Sequence, residues 1–161
     1  MKKIALSIIS LLFIVLIIIV LSMLIKVNKG IDNIKSFEYY YHSGMGSSYG
    51  NYKIKCKNKC IASIDMFHNG ISMEESKEIS SKQMNELIDE LNKYKVNSWN
   101  GFNGNVDAFD GDTFKITIID QDNNKITAKG YIKKPKNYNE VEKVIENTFD
   151  ELFNYKEKLY K

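Results

Sequence analysis

From Ile4 to Ile25 the chain carries no charge: IALSIISLLFIVLIIIVLSMLI is interrupted only by Ser7, Ser10 and Ser22. A helix of 22 residues spans ~33 Å, close to the ~30 Å hydrocarbon thickness of a bilayer. Serine hydroxyls can bond back to the helix's own carbonyls, so all three are compatible with lipid. The run exceeds the ~7–15 apolar residues of a cleaved signal-peptide core. Its end, Leu21-Ser22-Met23-Leu24-Ile25-Lys26, holds no small-x-small cleavage pair, and no Cys lies near it for acylation. The pattern predicts a transmembrane signal anchor over 1–26 and a polar linker over 27–35. Lys2 and Lys3 precede the run, and Lys26, Lys29 and Lys35 follow it, so the positive-inside count is nearly balanced. The short head before the run favours an inside N-terminus. The expected location is the cell membrane, single-pass, with an extracytoplasmic domain over 36–161.

After the linker the period changes to 2. Ser36 to His42 is aromatic and β-prone. Asn51 to Lys57 places Tyr52, Ile54 and Cys56 on one face and Lys53, Lys55 and Lys57 on the other, the mark of a half-buried antiparallel strand. Cys60, Ala62 and Ile64 continue the apolar face beyond a Lys57-Asn58-Lys59 turn, so the two runs suit a hairpin. Asn69-Gly70 marks another turn, and Ile71 to Ile79 follows as a polar edge strand.

The period then becomes helical. Ser80 with Gln83 forms a capping-box signal, and Met84, Leu87, Ile88 and Leu91 recur on one stripe. Asn97 to Asp112 is a loop rich in Asn, Gly and Asp. Strands are expected over 114–119 and 126–132, and a last helix from Asn139 with Val141, Val144, Ile145, Phe149 and Leu152 on one face. This order predicts an α+β class: a single transmembrane helix, then an antiparallel sheet of about six strands packed by two helices.

The chain has 23 Lys, no Arg and 20 Asp+Glu, a net charge of +3. Four of the lysines lie in the first 30 residues, leaving 19 against 20 acids, so the remainder carries a net −1. A nucleic-acid footprint is excluded, and without arginine a bidentate phosphate clamp is too. Phosphate-binding and dinucleotide glycine motifs are absent from the sequence, and no cofactor is implied.

Cys56 and Cys60 form C-x3-C at a hairpin turn, not the C-x-x-C at a helix start that lowers a thiol pKa. They are the disulfide candidate, with two buried free thiols and thiol-redox chemistry as alternatives. Zinc held by these cysteines with His42 and His68 is disfavoured, since Cys60 and His68 are separated by ~26 Å of strand. Asp107, Asp110 and Asp112 alternate near a glycine, but no closing Glu completes a calcium loop, and an Asp-Gly turn accounts for them. Tyr39, Tyr41, Trp99 and Phe102 are the candidate binding residues: large aromatics that serve as core plugs or as a contact surface. Tyr40 falls on the opposite face from Tyr39 and Tyr41.

Trp99-x-Gly101-Phe102, Asp110-Gly111, Phe114-x-Ile116-x-Ile118, Lys129-Gly130, Pro135 and Tyr138 form a set of short motifs. The set resembles small uncharacterised extracytoplasmic α+β domains tethered to the membrane in Gram-positive-type bacteria. The resemblance implies an α+β fold at the cell surface and brings no catalytic residues.

These features together lead us to expect a non-enzymatic, membrane-tethered domain that binds a protein or envelope polymer. The first strand and the 97–112 loop are the expected contact regions. The alternatives are an envelope hydrolase using acids of the 107–112 loop and a thiol-redox protein using Cys56 and Cys60.

Overall fold

The computed structural model describes residues 12–21, 30–44, 46 and 48–160. Residues 12–21 are helical and their side chains are exposed. Among the described residues no helix is long and apolar enough to cross a membrane. This corrects the transmembrane signal anchor and the single-pass, extracytoplasmic location built on it. Residues 1–11 and 22–29, the rest of the apolar run and its lysine flanks, lie outside the described residues.

The chain divides at Gly30/Ile31, and the second unit, Ile31–Lys161, holds the sheet and its core. Its strands are β1 (Ile34–His42), β2 (Ser48–Cys56), β3 (Cys60–His68), β4 (Ile71–Glu78), β5 (Asn103–Gly104), β6 (Thr113–Asp120) and β7 (Lys125–Tyr131). They form one sheet in the order β4-β3-β2-β1-β6-β7-β5. The first four strands are a meander, and β6 returns to pair antiparallel with β1. The fold is α+β as expected, but the sheet has seven strands and is mixed, because β5 pairs parallel to β7. Two residues cannot display a period, so this strand was invisible inside the 97–112 loop.

Alternation decides which face is covered. Phe37 and Tyr39 on β1, Tyr52 and Ile54 on β2, Ala62, Ile64 and Met66 on β3, and Phe114, Ile116 and Ile118 on β6 are all buried on one side. The helices α1 (Ser81–Lys93), α2 (Tyr138–Phe153) and the short α3 (Tyr155–Leu159) cover that side. Helix α1 begins at the expected capping box: Ser80 Oγ accepts from Gln83 N at 3.3 Å, and Gln83 Oε1 accepts from Ser80 N at 3.2 Å. It buries Met84, Leu87, Ile88 and Leu91, the stripe its sequence displays. Helix α2 ends where Asn154 turns left-handed at φ 51°, a conformation asparagine tolerates. The bend lets Tyr155 and Leu159 on α3 return to the core.

Two close approaches shape the sheet. A Cβ on Gly50 would stand 2.2 Å from the Tyr41 ring, and one on Gly130 would stand 2.2 Å from the Lys133 carbonyl oxygen. Glycine at these strand positions leaves room for an aromatic ring, or a crossing backbone, to lie directly on the sheet. At the far end Cys56 and Cys60 face each other across the β2–β3 turn and are joined in a disulfide, with Cα atoms 4.0 Å apart.

Candidate functional site

Two of the four aromatic residues singled out in the sequence are placed in the core. Tyr39 is 1% exposed and Trp99 3% exposed, while Tyr41 and Phe102 are half-buried against the same core. Trp99 Nε1 donates to the Lys136 carbonyl at 3.0 Å, so its polar tip is satisfied internally. The Tyr39 and Tyr138 hydroxyls are 2.5 Å apart, and both reach Glu142 Oε1, at 2.7 and 2.8 Å. Tyr52 and Tyr155 pair their hydroxyls at 2.9 Å. Burial pushes all four phenols above their ordinary range, and nearby hydroxyls or carboxylates raise Tyr39 and Tyr52 further. Through these hydroxyl contacts the phenols link the sheet to α2 and α3.

Asp107, Asp110 and Asp112 are exposed in the loop before β6. Asp112 lies 3.9 Å from Lys134 Nζ and accepts from Gly44 N at 3.3 Å. Among the described residues no group of acids, histidines and cysteines is placed to hold a metal ion. His42 ends β1 on the open face, whereas His68 ends β3 on the covered face against the Tyr160 ring. The disulfide leaves neither cysteine a thiolate to offer.

The other face of the sheet carries a different set. Within Ile31–Lys161 the three helices pack on the core side, and residues of opposite parity point away from it. One register row crosses all seven strands: Glu74, Asp65, Asn51, Tyr40, Lys115, Lys129 and Asn103. With strands spaced by about 4.8 Å, six steps make the row ~29 Å long. Charge is sorted along it, with two acids at the β4 end, Asn51 and Tyr40 in the middle, and two lysines towards β5. Beside it, Tyr49 stacks on Phe67 with centroids 5.9 Å apart, and the Tyr49 hydroxyl donates to Asp65 Oδ1 at 3.1 Å. That carboxylate pushes the Tyr49 hydroxyl up.

Two features of the row work against folding. Asn51 Oδ1 is buried and accepts no hydrogen bond, which costs desolvation without compensation. Lys115 and Lys129 stand directly opposite each other on β6 and β7, an unfavourable like-charge cross-strand pair. Neither lysine is in an ion pair among the described residues. Asp65 and Glu74 form a second such like-charge pair on β3 and β4, whereas Lys53 Nζ lies 3.6 Å from Glu38.

At the basic end a cavity of about 170 Å³ opens between the 101–103 segment and the last strands, lined by Gly101, Phe102, Asn103, Lys115, Thr127, Ala128 and Lys129. Of the residues expected to bind, Phe102 alone lines it. Tyr40, Asn51, Asp65, Lys115, Thr127 and Lys129 were not singled out. The alternation of β1 placed Tyr40 away from its neighbours, but cross-strand register, which builds the row, is a long-range property. No protein-family model matches this chain, and no curated protein matches it either.

Proposed function

We propose that Ile31–Lys161 is a non-enzymatic binding module that recognises its ligand along the open face of the sheet. The observation that supports this best is the charge-sorted row from Glu74 to Asn103, with its unsatisfied Asn51 oxygen and its facing lysines. The exposed Lys115 and Lys129 burden folding and face outward, and such groups are most simply retained for an external partner. The half-buried aromatics Tyr40, Tyr49 and Phe67 add apolar contact area beside the row. The 105–112 loop reaches the same face, where the Tyr131 hydroxyl donates to the Ala108 carbonyl at 3.0 Å. It holds Phe109 wholly in solvent, a contact residue available to a partner.

A hydrolase built on Asp107, Asp110 and Asp112 is the weaker reading, because these acids are exposed and none lines the cavity. The test is an amide chemical-shift screen of the full chain against a library of small polar and aromatic fragments. Binding on the open face moves amides of β1, β2, β6 and β7 around Tyr40, Asn51, Lys115 and Lys129. Hits confined to the 107–112 acids, or to the helical side, would contradict the proposal.

A further inference from the structure

The open face is complementary in charge to a second copy of itself. We propose that two copies of this chain associate face to face through it, about a two-fold axis that runs parallel to the strands between β1 and β2; this rests on the binding reading above and names the partner of that face.

Cross-strand register carries the inference. Four parallel rows of side chains cross the open face from β4 to β7. An axis along the β1–β2 seam lays β2 of one copy over β1 of the other, β3 over β6 and β4 over β7, and returns each row to itself. In the row already described, Glu74 then meets Lys129, Asp65 meets Lys115 and Asn51 meets Tyr40. In the next row Lys53 meets Glu38, and the hydroxyls of Ser63 and Ser76 meet those of Thr117 and Thr127. In the row beyond, Glu78 meets Lys125, and Ile61, 41% exposed, meets Ile119. Every acid of these rows falls on a lysine. Lys55, the one lysine left over, falls on Ser36.

The charges also select the axis. Shifted onto β1 it would set Glu38 against Glu38, and shifted onto β2 it would set Lys53 against Lys53. Laid along the Glu74–Lys129 row it would set each charge of that row against its own copy. Like charges brought together in an interface reject the pairing. The seam axis instead brings the acidic pair Asp65 and Glu74 of one copy against the basic pair Lys115 and Lys129 of the other, so two internal repulsions are offset by attractions between copies. Sheets stacked face to face keep their strand directions nearly aligned, as this axis requires.

Area sets the strength. From β4 to β7 there are five strand steps of about 4.8 Å, and the rows span three steps of ~6.7 Å, so the matched area is ~480 Å² per copy. Roughly 1,000 Å² in total lies at the low end of specific interfaces, so the dimer is weak and sensitive to salt.

The test is sedimentation equilibrium of the full chain with a charge exchange. Asp65→Lys and Lys115→Glu each relieve a like-charge pair within their own copy, so neither is expected to unfold the chain. Each sets like charges together across the two-fold. The unaltered chain is expected to dimerise, and each variant alone to dimerise at least tenfold more weakly. An equimolar mixture of the two variants is expected to recover the affinity, because their new charges are opposite and meet each other. A chain that stays monomeric, association that neither variant weakens, or variants that do not recover on mixing would each overturn the dimer. If polar and aromatic fragments still bind around Tyr40 and Asn51, the dimer fails alone. If nothing binds the open face, the binding reading fails with it.

Discussion

Lys115 on β6 and Lys129 on β7 are direct cross-strand partners on the open face, with a neutral strand residue, Tyr40 of β1, on the far side of Lys115 and no acid matched to either. On the covered face the opposite rule holds: apolar residues meet apolar residues, and buried phenols meet phenols. The sheet thus separates a face built for packing from a face on which polar groups are left open.

The Tyr52–Tyr155 pair joins a central strand to the last helix through hydroxyls 2.9 Å apart in the core. Tyr52→Phe removes one hydroxyl, strands the other, and is expected to cost about 1–3 kcal/mol. Tyr52→Phe/Tyr155→Phe removes both and should cost clearly less than the sum of the single changes. Chemical denaturation of the four proteins checks this; strictly additive losses would show that the hydroxyls act independently.

Stability should fall steeply in alkali. Burial holds Tyr39, Tyr52, Tyr138 and Tyr155 protonated in the folded chain at pH values where an unfolded tyrosine ionises. Below the ordinary tyrosine value of about 10 both states keep the proton and there is no effect. Above it the unfolded state binds fewer protons, so each such phenol lowers stability by up to ~1.4 kcal/mol per pH unit. Tyrosinate absorbance from these residues is expected to appear together with the loss of tertiary circular dichroism, not ahead of it.

Much of the covered face was legible because it is local. The Ser80–Gln83 box and the Met84–Leu91 stripe fix α1, and the alternation of 52–56 and 60–64 fixes the hairpin with its facing cysteines. The apolar opening run was the firmest pattern in the sequence and the least informative about the folded unit, because hydropathy over 4–25 says nothing of residues 31–161. The open-face row was hidden for a different reason. Glu74, Asp65, Asn51, Tyr40, Lys115, Lys129 and Asn103 come from seven strands, and their alignment depends on pairings between segments as distant as β1 and β6. Tyr39 and Trp99 show the converse: an aromatic residue type suggests a contact surface or a core plug equally well until its neighbours are known.

The disulfide closes a loop with a sequence separation of 4. Chain-entropy reasoning gives such a small loop about 2 kcal/mol. Reduction, or Cys56→Ser/Cys60→Ser, is expected to lower the denaturation midpoint by no more than that while leaving the fold and the open-face amide shifts unchanged. Loss of folding on reduction would mean that the clamp holds more than its own turn.

Gly130 leaves room for the Phe114 ring and the Lys133 carbonyl, which an added Cβ would meet at 2.5 and 2.2 Å. Gly130→Ala forces a backbone shift and is expected to destabilise the chain by about 1–3 kcal/mol, as overpacking does. Thermal unfolding checks the size of the loss, and a neutral outcome would show that β7 and the following turn move together without cost.

The central claim is that the open face is shaped by recognition at some expense to folding, and the stability of single lysine variants tests it without knowledge of the ligand. Lys115→Gln and Lys129→Gln should each raise the free energy of unfolding by about 0.2–1 kcal/mol at low ionic strength, and the gain should shrink as salt screens the pair. Lys53→Gln, on the same face but matched by Glu38, should give no gain. If instead both Lys115→Gln and Lys129→Gln lower stability, the two lysines serve the fold and the account of the open face is wrong.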